Sequence, residues 1–239
     1  MDKLINNLCT IGMRGGSKGV PNKNLRELHG KPLMAYTIEQ AKESGLFRHI
    51  VVSTDSEEIA ETAQNLGAEA WFLRPPELAT DEAPKLPAIH HAFLESESHY
   101  GQQFDVLVDL DVTSPLRLVD DIKDAYDQFQ DEDADILVTA SPARRNPYFN
   151  MLEKVNGRIR IVKQMDKLPV RRQDAPQVYD MNASIYIWKR DALLKRDTLF
   201  TENTSLFVMP EERSVDIDTE IDWDFVEFIL SKRMGRRHD

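Results

Sequence analysis

Leu8-Cys9-Thr10-Ile11-Gly12-Met13-Arg14-Gly15-Gly16-Ser17-Lys18-Gly19-Val20-Pro21-Asn22-Lys23-Asn24 is the stretch on which the reading of this chain turns. Its first four residues are a short apolar run, which predicts a buried strand. Gly12, Arg14, Gly15 and Gly16 follow where that strand ends, and then come Lys18 and Lys23. A loop of this kind can turn several backbone N–H groups and cationic side chains onto one anion. It is not a P-loop, because G-x-x-x-x-G-K-[ST] is absent, and its glycines do not fit G-x-G-x-x-G. Taken alone, the loop reads equally well as a solvated glycine turn, so the rest of the chain decides.

Outward from the loop, strands and helices alternate. Pro32 suits a helix start, residues from Leu33 to Ser44 run at helical spacing, and Gly45 suits the stop. His49 to Thr54 is β-branched and apolar, a second strand. Asp55 or Ser56 caps a helix with Glu57 and Glu58 in its first turn, where acids favour the helix dipole. Ala70-Trp71-Phe72-Leu73 reads as a third strand, Pro87 to Ser98 as a helix and Phe104 to Leu110 as a fourth strand. A helix carrying Val119, Ile122, Ala125, Tyr126 and Phe129 precedes a fifth strand, Asp135 to Thr139. This alternation predicts an α/β fold with a mostly parallel sheet flanked by helices. Ligands of such sheets sit outside the carboxyl ends of the strands. The glycine loop, Ser53-Thr54-Asp55, Arg74-Pro75-Pro76 and Asp111 to Arg117 all belong there.

The alternation breaks at Ser141-Pro142. Residues 142–182 hold Val155-Asn156-Gly157-Arg158-Ile159, a hairpin signal, and the stiff run Pro169 to Pro176. They read as a lobe inserted into a domain formed by residues 1–141 and 183–239. Beyond the lobe, Ser184 to Trp188 and Leu206 to Met209 read as strands and Glu220 to Met234 as a closing helix, followed by a frayed basic tail.

Composition narrows the function. The chain has 239 residues, 41% of them hydrophobic, enough for a sizeable core. Lys and Arg number 30 against 41 Asp and Glu, a net charge of −11, which argues against nucleic-acid and membrane partners. The single cysteine, Cys9, permits no disulfide framework. No apolar run is long enough to cross a membrane and no leader pattern opens the chain, so a soluble, cytoplasmic protein is expected.

Against this acidic background two cationic groups stand out: Arg14, Lys18, Lys23 and Arg26 around the loop, and Arg144-Arg145 with Arg171-Arg172 in the lobe. Arginine in a stiff loop suits bidentate capture of a carboxylate. Asp216-x-Asp218 places two carboxylates on one face of an extended segment, an arrangement that a hard divalent cation such as Mg²⁺ relieves; an acidic edge or helix cap is the plainer alternative. Together these groups point to nucleotidyl transfer onto an acidic substrate.

The residues also resemble a known family, the acylneuraminate cytidylyltransferases. The loop matches as Arg14-x-x-Ser17-Lys18-Gly19-x-Pro21-x-Lys23-Asn24-Leu25. Ser53-Thr54-Asp55, Leu73-Arg74-Pro75-x-Glu77-Leu78-Ala79-x-Asp81, Thr113-Ser114-Pro115-Leu116-Arg117, Arg172-Gln173-x-x-Pro176 and Asp216-Ile217-Asp218-Thr219-Glu220 follow in order, with Asn182 and Tyr186 between the last two. The resemblance spans roughly residues 8–230. It implies a Rossmann-like nucleotidyltransferase fold whose inserted lobe mediates homodimerisation. It implies a reaction of CTP with a nine-carbon 2-keto acid sugar to give the CMP-sugar and pyrophosphate, with Mg²⁺ as cofactor.

Carried onto this chain, the resemblance makes Gly12, Met13, Arg14, Ser17, Lys18, Lys23 and Asn24 the triphosphate loop, and puts Arg74 and Lys85 near the cytosine. Asp111, Thr113, Ser114, Gln173 and Tyr186 face the sugar, Arg172 holds its carboxylate, and Asp216 and Asp218 bind Mg²⁺. Arg14, Lys23, Asp216 and Asp218 are the catalytic set; either Asp216 or a metal-bound hydroxide takes the hydroxyl proton. Three departures bear on the sugar. Sialic acid enzymes have glutamine at the position of Asp111, Lys85 stands where serine is common, and Ala183-Ser184 follows Asn182 in place of Gly-Ala. These are similar to enzymes for bacterial analogues such as legionaminic acid. A 3-deoxy-manno-octulosonate or hexose 1-phosphate nucleotidyltransferase, and a non-catalytic nucleotide-binding module, are the competing expectations.

Overall fold

The structure is a computed structural model, and it describes residues 6–167 and 169–235. In chain order, β1 (Asn7–Gly12) leads into the glycine loop, which ends in a small antiparallel pair, β2 (Glu27–Leu28) and β3 (Lys31–Pro32). Then come α1 (Leu33–Ser44), β4 (His49–Ser53), α2 (Glu57–Asn65), α3 (Lys85–Tyr100), β5 (Val106–Leu110), α4 (Val119–Asp131) and β6 (Ile136–Pro142). The hairpin β7 (Leu152–Val155) and β8 (Arg158–Ile161) precedes β9 (Tyr179–Lys189), α5 (Arg190–Lys195), β10 (Thr204–Val208) and α6 (Glu220–Gly235).

Six strands form one sheet in the order β10-β6-β9-β5-β1-β4. The β4–β1, β1–β5 and β10–β6 pairings are parallel, whereas β9 runs antiparallel to both β5 and β6. Side-chain alternation divides the core between the two faces. Cys9, Ile11, Val108 and Leu110 pack against Met34 of α1, Ile122 of α4 and Trp223 of α6. On the other face Leu8, Leu107 and Tyr186 pack against Ile89 and Phe93 of α3 and Leu193 of α5. Asp109 therefore sits on the α3 face, between two residues committed to the opposite side.

Local signals account for most boundaries. Gly45 ends α1 in the left-handed conformation (φ 68°), and the Ser56 side chain accepts the Ile59 N–H at the start of α2. Asn156 and Gly157 both have positive φ (50° and 76°), as the tight turn between β7 and β8 requires. Two expectations need correction. Ala70 to Leu73 is not a strand; only Glu69 bridges β4, at Val51. Trp71 stacks on His99 of α3 and Phe72 meets His91 edge-on, so packing claims both aromatic side chains. The Arg74 N–H then bonds to Thr54 O (2.7 Å), carrying the chain toward the strand ends. Helix α3 begins at Lys85, two residues before the sequence pattern suggests, because Pro84 occupies its N-cap. Arg236 and Arg237 of the basic tail lie outside the described residues.

Candidate active site

The carboxyl ends of β1, β4 and β5 open into a cavity of about 370 Å³. The glycine loop forms one wall, residues from Leu78 to Ala92 another, and the tip of β5 the floor. Of the residues singled out from the sequence, Gly12, Met13, Arg14, Ser17, Lys18, Lys23, Asn24, Arg74, Lys85, Asp111, Thr113 and Asp218 line it.

The loop is held from beneath. The Met13 N–H bonds to Ser53 O (2.9 Å), and the buried Asn24 donates its side-chain amide to Arg14 O (3.0 Å). Gly19 has a steric reason to be glycine: a Cβ there would lie 1.9 Å from the carbonyl oxygen of Asp218. Loop and acid segment thus touch backbone to backbone. Lys23 reinforces the contact, donating to Ile217 O and lying 3.8 Å from Asp218 Oδ1. The other two cations face a single carboxylate, Arg14 bonding one oxygen of Asp81 and Lys18 the other. The Gly15 N–H points at Asp55 Oδ1 (2.8 Å).

The floor is a charge cluster that the sequence reading missed in part. Asp109 is fully buried; its Oδ1 accepts from Thr10 Oγ1 (2.8 Å), and its Oδ2 lies 3.0 Å from Lys85 Nζ without the alignment of a hydrogen bond. Asp111, two residues on and so on the same face, accepts from Lys85 Nζ (2.9 Å) at Oδ2 and from Thr113 N and Oγ1 at Oδ1. Lys85 spans the pair from the first turn of α3, with its ammonium 4.7 Å over the Tyr186 ring. Burial alone would lower the lysine's pKa, but Asp109 and Asp111 outweigh it and raise it. Burial likewise works against the Asp111 carboxylate, yet Lys85 and the Thr113 bonds bring its pKa down to about 2. An acid inside the apolar run Val106-Leu107-Val108-Asp109-Leu110 was the signal available for Asp109. The buried Arg74 donates to Ser53 O (2.6 Å) and Oγ (3.1 Å), and burial lowers its pKa against the pull of Asp109 and Asp55.

Five residues singled out from the sequence are not part of the cavity lining. Ser114 is buried with an unpartnered hydroxyl, and Tyr186 is buried beneath Lys85. Arg172 donates to Ala143 O (2.7 Å), and Gln173 is exposed on the same short turn. Asp216 is drawn to the cavity's edge because the Ile217 N–H bonds to Thr113 O (3.0 Å) and Ile217 is buried. Its Oδ1 is buried with no hydrogen-bond partner, and burial, then Asp111 and Asp218, push its pKa up to about 6. A buried carboxylate oxygen without a hydrogen-bond partner, on a residue two positions from a second acid, fits a divalent cation. Among the described residues no three His, Cys, Asp or Glu side chains converge as a metal site, so a cation at Asp216 and Asp218 would need phosphate or water oxygens as well.

The cytidylyltransferase family matches residues 8–232. The chain belongs to that family. Over 224 residues, 94% of either chain, this cytidylyltransferase is 53% identical to the CMP-N,N'-diacetyllegionaminic acid synthase of Campylobacter jejuni subsp. jejuni. It is 50% identical over 226 residues, 95% of either chain, to the post-translational flagellin modification protein B of Campylobacter coli. Among solved structures, a CMP:2-keto-3-deoxy-manno-octonic acid synthetase complexed with CTP superposes with a TM-score of 0.70 at 15% identity, over 95% of this chain and 99% of that one. At that identity the likeness concerns the fold.

Proposed function

We propose that this cytidylyltransferase joins CTP to an acidic nine-carbon 2-keto sugar of the N,N'-diacetyllegionaminic type, giving the CMP-sugar and pyrophosphate. The observation that carries the reading is one cavity with a cationic glycine loop at one end and the Lys85–Asp111 floor at the other. Arg14, Ser17, Lys18 and Lys23 hold the triphosphate, with Gly12, Met13 and Asn24 supplying and bracing the backbone. Arg74 and Lys85 border the nucleoside. The sugar lies toward Asp111, Thr113, Ser114 and Tyr186, with Arg172 and Gln173 closing on its carboxylate. The anomeric hydroxyl attacks the α-phosphorus in line with departing pyrophosphate, so catalysis is positioning and charge neutralisation. Burial raises the Asp216 carboxyl to about 6 in the metal-free protein, and a divalent cation beside it would draw it back to the ionised, ligating form. Mg²⁺, when bound by Asp216 and Asp218, would neutralise charge on the phosphate oxygens.

The 142–182 segment exposes Leu152, Ile159 and Val170 at 64, 62 and 83%, which supports a homodimer formed through that lobe. A CTP-consuming enzyme of this kind works in the cytoplasm. The test is pyrophosphate release from CTP with a panel of sugars. N,N'-Diacetyllegionaminic acid gives the highest kcat/KM, above pseudaminic, N-acetylneuraminic and 3-deoxy-manno-octulosonic acids. Turnover with none of the nine-carbon sugars would sink the assignment.

A further inference from the structure

Four carboxylates line the cavity: Asp81, Asp109, Asp111 and Asp218. Asp109 and Asp111 hold Lys85, and Asp218 belongs to the proposed metal pair. Asp81 has no part in the chemistry above. It nonetheless occupies the two loop cations that face outward, one carboxylate oxygen on the Arg14 guanidinium and the other on the Lys18 ammonium. A carboxylate bridging two cations is the side-chain counterpart of a bound phosphate, because both present paired anionic oxygens to the same donors. The segment that delivers Asp81 is lightly anchored. Thr80, Asp81, Glu82 and Pro84 are exposed, and the backbone hydrogen bonds flanking Asp81 are two local turns, Ala79 to Pro76 and Ala83 to Thr80. Lys23, in contrast, is engaged by the acid segment and stays where it is when Asp81 leaves.

We propose that Asp81 is a specificity-determining place-holder: it occupies Arg14 and Lys18 in the free enzyme, yields them to the outer phosphates of CTP, and returns to displace pyrophosphate after transfer. The inference rests on the glycine loop being the triphosphate site. Its competition falls on ligands that reach both cations. CTP and pyrophosphate bind against it, whereas CMP, with one phosphate, does not. Asp81 therefore speeds release of one product without loosening the nucleoside.

The test is calorimetric titration of the full-length enzyme with inorganic pyrophosphate and, separately, with CMP. Asp81→Asn keeps the shape and removes the charge; Asp81→Ala is the second variant, and Asp81→Glu the conservative one. Two ion pairs, one a third exposed and one largely exposed at Lys18, together contribute enough for a change of up to about tenfold. The Asn and Ala variants bind pyrophosphate about tenfold more tightly than the wild type, CMP affinity stays within about twofold, and the Glu variant behaves as the wild type. Pyrophosphate affinity unchanged or weakened in both neutral variants, or CMP tightened as much as pyrophosphate, would overturn the proposal. The titration needs no sugar, so failure of the sugar panel leaves it intact.

Discussion

At the glycine-loop end of the cavity Arg14 and Asp81 keep about a third of their side chains in water, 34 and 38%, and Lys18 keeps 77%. At the β5 end the carboxylates are the buried partners, Asp109 retaining 1% and Asp111 18%, while Lys85 keeps 39%. Both ends pair cations with acids, but the two sets of pairs differ in kind. An exposed pair in high dielectric contributes little and exchanges readily for a ligand charge. A carboxylate shut away from water costs several kcal/mol if its counter-ion leaves, so that pair stays made. The loop end is thus suited to taking up and releasing anions, and the strand end to holding a fixed shape. Gly19 and Lys23 join them through the Ile217–Asp218 backbone.

That difference can be attacked at four points. Gly19→Ala strikes the junction. The new Cβ must push the Asp218 carbonyl away from 1.9 Å, and a displacement on the order of 1 Å costs about 100-fold in kcat. Steady-state kinetics beside CTP binding would show kcat falling far more than affinity. Lys85→Met tests the fixed end. It leaves buried Asp109 without its cation and lowers stability by about 2 kcal/mol in urea titrations at pH 7. The pH dependence carries the signature. With a folded pKa of about 2 against an unfolded value of about 3.9, Asp111 adds stability above about pH 4 that disappears as pH falls toward 2. The variant lacks that acid-labile part.

Asp216→Asn acts in the opposite direction. A carboxyl raised to about 6 favours the folded state fully below about pH 4 and loses that contribution as pH rises through 6. The amide therefore stabilises the protein by about 1–2 kcal/mol at pH 8 in chelator, and the gain vanishes near pH 4, while turnover collapses. A gain that persists at pH 4 would contradict the assignment. Ala183→Gly is the smallest change. Ala183 has φ 51°, beside a β9 segment that receives the Asp111 N–H at Ser184 O (3.1 Å). Relief of left-handed strain, less the chain entropy of glycine, leaves a gain of roughly 0.5 kcal/mol in melting experiments.

The loop end was legible in the sequence because its parts are contiguous: Gly12 to Asn24 is one strand-to-loop passage, and the α/β alternation around it follows from short-range periodicity. Asp216 and Asp218 were visible as a spaced pair, because their chemistry is local to three residues, and the resemblance favoured the metal reading over an acidic edge. The floor was legible only in pieces. Lys85 and Asp111 could be singled out, but their pairing depends on α3 lying over the tip of β5, a contact no spacing encodes. Asp109 escaped because one acid in an apolar strand says that a partner exists without naming it. The missing strand at Ala70 to Leu73 failed for a related reason. Its β-like residues are spent on aromatic packing with α3 instead of on a ladder.

The antiparallel strand β9 has a consequence for how the chain is made. It fills the gap between β5 and β6, so the edge of β5 away from β1 stays unpaired until Tyr179 to Lys189 has been synthesised. Ribosomal synthesis at about 5–20 residues per second leaves that edge of β5 open for about 4–16 s after Leu110 is added. An open apolar edge invites pairing with other nascent chains, and a charge within it discourages that pairing. Asp109 is the fourth of the five residues of β5 on this edge. On an edge not yet covered by β9, a carboxylate at this position would discourage such pairing.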